Sequence, residues 1–142
     1  MLKLLFDTNV VSEPLRKRPD QRVMDWIAAQ DGSAVHASVV TFAEIEDGIA
    51  RLPAGSRRER LRSWRDQLAI GLGRRLIPVD LEIASAWGAL SARLARDGNP
   101  ISPMDGFVAA TADVHGLTLV TRNVKHFEAW GGPMLNPWAG ER

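Results

Sequence analysis

Short apolar runs alternate with longer stretches of helical periodicity along the chain. Leu2 to Phe6 is continuously apolar apart from Lys3 and predicts a buried strand. After a turn-rich stretch around Pro14 and Pro19, Val23, Trp26 and Ile27 recur at helical spacing. Ala34 to Val40 is short and β-branched, a second strand. Thr41 then opens a helix running through Leu52, and Ser56 opens another to about Leu72 that turns Leu61, Trp64 and Leu68 toward the core; Pro53 and Gly55 separate them. Leu76 to Val79 predicts a third strand. Asp80 caps a helix carrying Ile83, Trp87, Leu90 and Leu94 inward, ended by Gly98, and Ser102 caps the next, ended by Gly116. Leu117 to Thr121 is strand four, Asn123 to Trp130 a short helix, and Met134-Leu135 a brief last strand. Strands alternating with one or two helices imply a three-layer α/β/α fold around a mostly parallel sheet of four to five strands.

Composition changes this picture little. A chain of 142 residues suits one domain over 1–142, able to bury roughly 70% of its unfolded surface. Zero cysteines exclude a disulfide framework and thiolate metal sites, which fits a reducing cytoplasm. The apolar start is too short for a signal peptide, and no segment approaches a membrane span, so the expectation is a cytoplasmic chain without a membrane partner. The formal net charge is +1, yet seven arginines stand against Glu59 and Asp66 between Arg57 and Arg75. Arg58, Arg62 and Arg65 fall three or four residues apart and predict a positive stripe, either a solvated face or a surface for a polyanion. Five tryptophans among nine aromatics exceed the needs of one small core, so some are expected at an interface.

Asp7, Glu44 and Asp105 carry the candidate chemistry. Each follows a short apolar run and precedes a helix-like segment, and such junctions converge at one edge of an open parallel sheet. Acids gathered there would bind a divalent cation. A blander reading competes, because Thr41-x-x-Glu44 and Ser102-x-x-Asp105 both match the capping box, whose acid reaches back to the helix's first amide. Asp7 has no such account, and an acid at the buried end of a strand is costly unless paired or metal-bound. The roles are compatible, since a capping acid is held in a fixed rotamer.

The run Leu5-Phe6-Asp7-Thr8-Asn9-Val10-Val11-Ser12-Glu13-Pro14-Leu15-Arg16 resembles the opening of PIN-domain ribonucleases, specifically VapC toxins of the FitB-like branch. Thr41 to Glu44, Ser102 to Ala112, Leu119-Val120-Thr121-Arg122-Asn123 and the closing Leu135-Asn136-Pro137-Trp138 follow in that family's order and spacing, so the resemblance spans nearly the whole chain. It implies a single PIN-like domain, Mg²⁺ or Mn²⁺ bound by acids, endonucleolytic hydrolysis of RNA leaving a 5′-phosphate and a 3′-hydroxyl, a homodimer, and inhibition by a small cognate antitoxin of the VapB type. On that footing Asp7 and Asp105 are the first candidates for metal ligands. Glu44 either ligates or orients the attacking water, and Thr8, Asn9, Ser102, Thr121 and Arg122 steady the acids or contact RNA.

The chain departs from the fullest family pattern at Asn123, where many members carry a fourth acid, and at His126, where related toxins place another. Asn123 still offers a carbonyl oxygen to a cation or its water. His126 either reaches a phosphate or packs beside Phe127, and lone histidines are more often structural. A phosphotransferase of the haloacid dehalogenase type needs an acid two residues beyond the first, where this chain has Asn9. Gly71-x-Gly73 neither follows a strand nor completes a dinucleotide pattern, which argues against nucleoside-triphosphate chemistry. The serious alternative is a binding module for RNA or a partner that keeps this fold with weakened catalysis.

Overall fold

The computed structural model describes residues 2–139 and forms one five-stranded, all-parallel sheet in the order β3-β2-β1-β4-β5. The strands are β1 (Leu4–Phe6), β2 (Val35–Ser38), β3 (Leu76–Ile77), β4 (Thr118–Val120) and β5 (Met134–Leu135). Among the described residues seven α-helices flank them: α1 (Thr8–Val11), α2 (Gln21–Ala28), α3 (Val39–Ala50), α4 (Ser56–Leu72), α5 (Leu81–Arg96), α6 (Pro103–His115) and α7 (Val124–Phe127). None is long and apolar enough to cross a membrane.

Parallel strands are buried on both faces, and β1 and β4 are accordingly buried throughout and, apart from Thr118, apolar. Side chains alternate between two cores. Leu5, Ile77 and Leu119 face the larger one, closed by Ile83, Leu90 and Leu94 of α5 and Val108, Ala109, Ala110 and Ala112 of α6. Leu4, Phe6 and Val120 face the smaller one, with Val10 of α1, Trp26 and Ile27 of α2, and Trp138. Each fully buried Leu or Ile contributes roughly 1.5–3 kcal/mol by leaving water, so α5 and α6 hold the sheet most firmly.

Two expectations need correction, and a third is met in short form. Helix α3 begins at Val39, not Thr41, because the Ser38 side chain accepts the Val40 N–H at 3.0 Å and caps the helix three residues earlier. The helix-like segment expected after Asp7 is the single turn α1, capped by the Asp7 side chain. Leu61, Trp64 and Leu68 are only half-buried: they do not enter a core but line clefts. Trp64 and Leu68 border a cleft of about 430 Å³ with Phe6, Val10 and Ile27, and Leu61 and Trp64 border a second of about 290 Å³ that reaches Thr8 and Glu44.

Candidate active site

The sheet order reverses at β1. The chain moves from β1 outward through β2 to β3, then returns to β4 on the other side, and the crevice at the carboxyl ends of β1 and β4 is the binding position in such sheets. Asp7 follows β1 there and is 5% exposed. Its Oδ1 accepts the Thr8 N–H at 2.9 Å and its Oδ2 accepts the Thr121 hydroxyl at 2.8 Å, with the Asn9 amide at 3.4 Å. Thr121 follows β4 and is fully buried. Its oxygen also accepts the Asn9 amide at 3.3 Å and the Asn123 N–H at 3.0 Å, while Asn9 Oδ1 accepts the Arg122 N–H at 3.1 Å. One hydrogen-bonded knot thus joins the two strand ends across the crevice.

Glu44 reaches this knot from α3 through Oε1, which accepts the Thr8 hydroxyl at 2.8 Å. With α3 starting at Val39, Glu44 is the sixth helical residue, out of reach of the first amide, so the capping-box reading of Thr41 and Glu44 fails. At α6 the Ser102 side chain does accept the Asp105 N–H at 3.3 Å, but the described hydrogen bonds include none returning from the Asp105 carboxylate to Ser102. That carboxylate instead lies 3.6 Å from His126 Nδ1.

Electrostatics tie the three acids together. Burial pushes the Asp7 carboxyl above its ordinary range; the Thr121 and Thr8 hydrogen bonds oppose that, and the charge of Asp105 adds to it. Burial likewise raises Glu44, against the Thr8 hydrogen bond and with the charges of Asp7 and Asp105. Among the described residues neither Asp7 nor Glu44 has a lysine or arginine partner. Acids this desolvated without a countercharge are balanced by a proton or by a cation. Among the described residues, however, no three acids or histidines stand close enough to form a closed ligand set, contrary to a three-carboxylate cage from Asp7, Glu44 and Asp105. The arrangement fits a hard ion that is held by one or two carboxylates and keeps most of its water, as Mg²⁺ does.

Other expected residues divide. Asn123 is exposed at the start of α7, with its side chain in none of the described hydrogen bonds. The arginine stripe turns onto α3: Arg62 pairs with Glu46 at 3.3 Å, Arg65 pairs with Glu46 and Asp66, and Arg58 donates to the Leu52 carbonyl at 3.3 Å. Arg62 and Arg65 therefore add no net positive face. Two residues have contacts that the sequence reading missed. His126 stands beside Asp105, which only the position of a family acid hinted at. Glu13 is 1% exposed and accepts the Asp20 N–H at 2.6 Å, tying the turn after α1 to the start of α2; no periodicity marks such a contact.

Packing sets the place of Asp105. The Trp87 indole stacks on Phe107 with centroids 4.8 Å apart and covers Gly106, where an added Cβ would lie 2.8 Å from the ring. Gly106→Ala is expected to push the indole or the first turn of α6 aside and cost about 1–3 kcal/mol. A urea titration that shows less than about 0.5 kcal/mol of destabilisation would show that the ring yields freely.

An α/β domain with acids gathered beside its central parallel strand is the arrangement of the PIN domain, whose family model matches residues 4–130. The chain is 37% identical over 136 residues to VapC ribonuclease Y4jK of Sinorhizobium fredii, covering 95% of this chain and 97% of that one. It is 35% identical to Toxin FitB of Neisseria gonorrhoeae, over 95% of this chain and 98% of that one. The solved structure of FitAB bound to an IR36 DNA fragment superposes with a TM-score of 0.92 at 34% identity, covering 98% of both chains. The chain belongs to the PIN-domain family, in its branch of VapC and FitB toxins.

Proposed function

We propose that this protein is a divalent-metal-dependent endoribonuclease, the toxin of a toxin-antitoxin pair, working in the cytoplasm. The observation that carries the reading is the crevice itself: the charge of Asp105 raises the proton affinity of Asp7, the charges of both raise that of Glu44, and neither Asp7 nor Glu44 has a cationic partner among the described residues. RNA as substrate is supported by the similarity to the VapC ribonuclease Y4jK, and a protein partner by the similarity to FitB in the FitAB complex.

In this mechanism Asp7 and Asp105 would hold Mg²⁺ or Mn²⁺, which would supply charge neutralisation at the attacked phosphate and a more acidic water. Glu44 takes the proton of the attacking water, and its raised proton affinity suits that task near neutral pH. The Thr8 hydroxyl holds the Glu44 carboxylate, and Thr121 with Asn9 holds Asp7, so neither acid must reorganise during the reaction. Water adds to phosphorus as the bond to the 3′ oxygen breaks; the proton lost by water balances the one gained by the leaving 3′-hydroxyl. Asn123, exposed at the rim, is the neutral stand-in for a fourth acid. We further propose that the chain works as a homodimer silenced by a VapB-type antitoxin.

Purified, antitoxin-free protein should cut RNA with Mg²⁺ or Mn²⁺ and stop when EDTA is added, resuming when the ion is restored. RNA binding with no cleavage under any of these ions would favour the second reading, a binding module.

A further inference from the structure

We propose that Arg122 is a clamp for a backbone phosphate of the RNA beside the scissile bond, and that the Trp138 indole is the positioning residue that holds its guanidinium. The proposal rests on RNA being the ligand of the crevice.

Topology brings the two residues together. Arg122 lies just beyond β4 and Trp138 just beyond β5, strands that pair in parallel, so both stand at the carboxyl edge that carries Asp7. The Arg122 main chain is fixed there, because its N–H donates to Asn9 Oδ1 at 3.1 Å and the preceding Thr121 donates to Asp7 at 2.8 Å. An arginine one residue from the Asp7 knot cannot drift from the site without breaking it.

The side chain is exposed yet held. Its guanidinium carbon lies 5.5 Å from the centroid of the Trp138 ring, within cation–π range. Among the described residues Arg122 joins no ion pair, whereas Arg16, Arg22, Arg51, Arg62 and Arg65 all do. Its positive charge is therefore available, and the stacked face leaves the edge donors of the guanidinium open to a phosphate. RNA recognition commonly uses such a planar cation.

Trp138 is itself braced. Its main-chain N–H donates to Asn136 Oδ1 at 2.9 Å in the turn after β5, and its ring packs on the cluster of Leu4, Phe6, Val10 and Val120. The indole Nε1 is buried with no acceptor among the described residues, so packing and the guanidinium, not a side-chain hydrogen bond, fix the ring. That cluster also seats α1, which carries Thr8 and Asn9. The shelf under Arg122 and the acid site thus share one foundation.

The test is fluorescence anisotropy of a short labelled single-stranded RNA with the full chain in EDTA across a salt series, with cleavage in Mg²⁺ followed separately. Arg122→Gln should weaken binding about tenfold and lower the slope of log affinity against log salt by about 0.7. Trp138→Leu should cost about threefold, Trp138→Phe much less, and neither should add to the loss in Arg122→Gln. An additive Trp138→Leu effect would mean that the ring acts apart from Arg122 and overturns the positioning role; if that variant unfolds, the Trp138→Phe cycle decides. Parental affinity and salt slope in Arg122→Gln, with RNA still cut in Mg²⁺, would discard the clamp and keep the nuclease. Loss of binding in Arg122→Gln by a chain that cuts no RNA would keep the clamp and discard the nuclease.

Discussion

Asp7→Asn should abolish metal-dependent RNA cleavage, by about a thousandfold or more, while leaving the fold intact. The substitution keeps the volume of a side chain that is 5% exposed and removes its charge. One oxygen remains to accept the Thr8 N–H or the Thr121 hydroxyl. The new amide donor fits the rest of the knot less well, because Thr121 Oγ1 already accepts from Asn9 and Asn123. Against that loss stands relief: burial and the charge of Asp105 both make the ionised Asp7 unfavourable. The two effects offset, so the melting temperature at neutral pH should move by no more than about 3 °C. Cleavage time courses and calorimetric melting on the same preparation check both halves. Activity lost together with the melting transition would mark Asp7 as a structural cap alone.

The second large effect is a pH-dependent stabilisation by Mn²⁺. Asp7 and Glu44 have folded-state proton affinities above their ordinary values, so their ionisation costs stability. That cost is absent below the ordinary carboxylate range, grows as pH rises through the window up to the raised values, and is fully present above it. A cation held by these acids removes it. At a hundred times its dissociation constant, Mn²⁺ should add about 2.7 kcal/mol, roughly 8 °C for a chain of this size. The shift should be largest near pH 7 and shrink toward pH 5, where protons compete for the same oxygens. A shift of equal size at both values would place the ion elsewhere.

Much of this was legible in the sequence because local signals and the fold agree. Ser102 and Asp80 cap α6 and α5 where expected, and Gly116 ends α6 in the left-handed conformation at φ +65° that its position suggested. The start of α3 misled because Val39-Val40-Thr41 is β-branched and reads as strand, while the Ser38 cap and the packing of Val40 into the larger core make it helix. Helix α1, the helix-like segment expected after Asp7, is only four residues long and is stabilised by the Asp7 cap rather than by its own propensity. Asp7 and Glu44 were found as acids at strand ends, but their bridge through Thr8 is a contact 36 residues apart that no spacing announces. The arginine stripe was read from helical periodicity alone, and periodicity gives a face without its neighbour; Glu46 on α3 is that neighbour.

Calorimetric titration of Mn²⁺ into the metal-free protein, its Asp7→Asn variant and its Asn123→Asp variant tests the central claim most directly. The carboxylate crevice predicts saturable binding in the parent, loss of it in Asp7→Asn, and tighter binding in Asn123→Asp, where a charge joins the rim. Identical isotherms for the parent and Asp7→Asn would contradict it, because the acid at the end of β1 would then hold no metal.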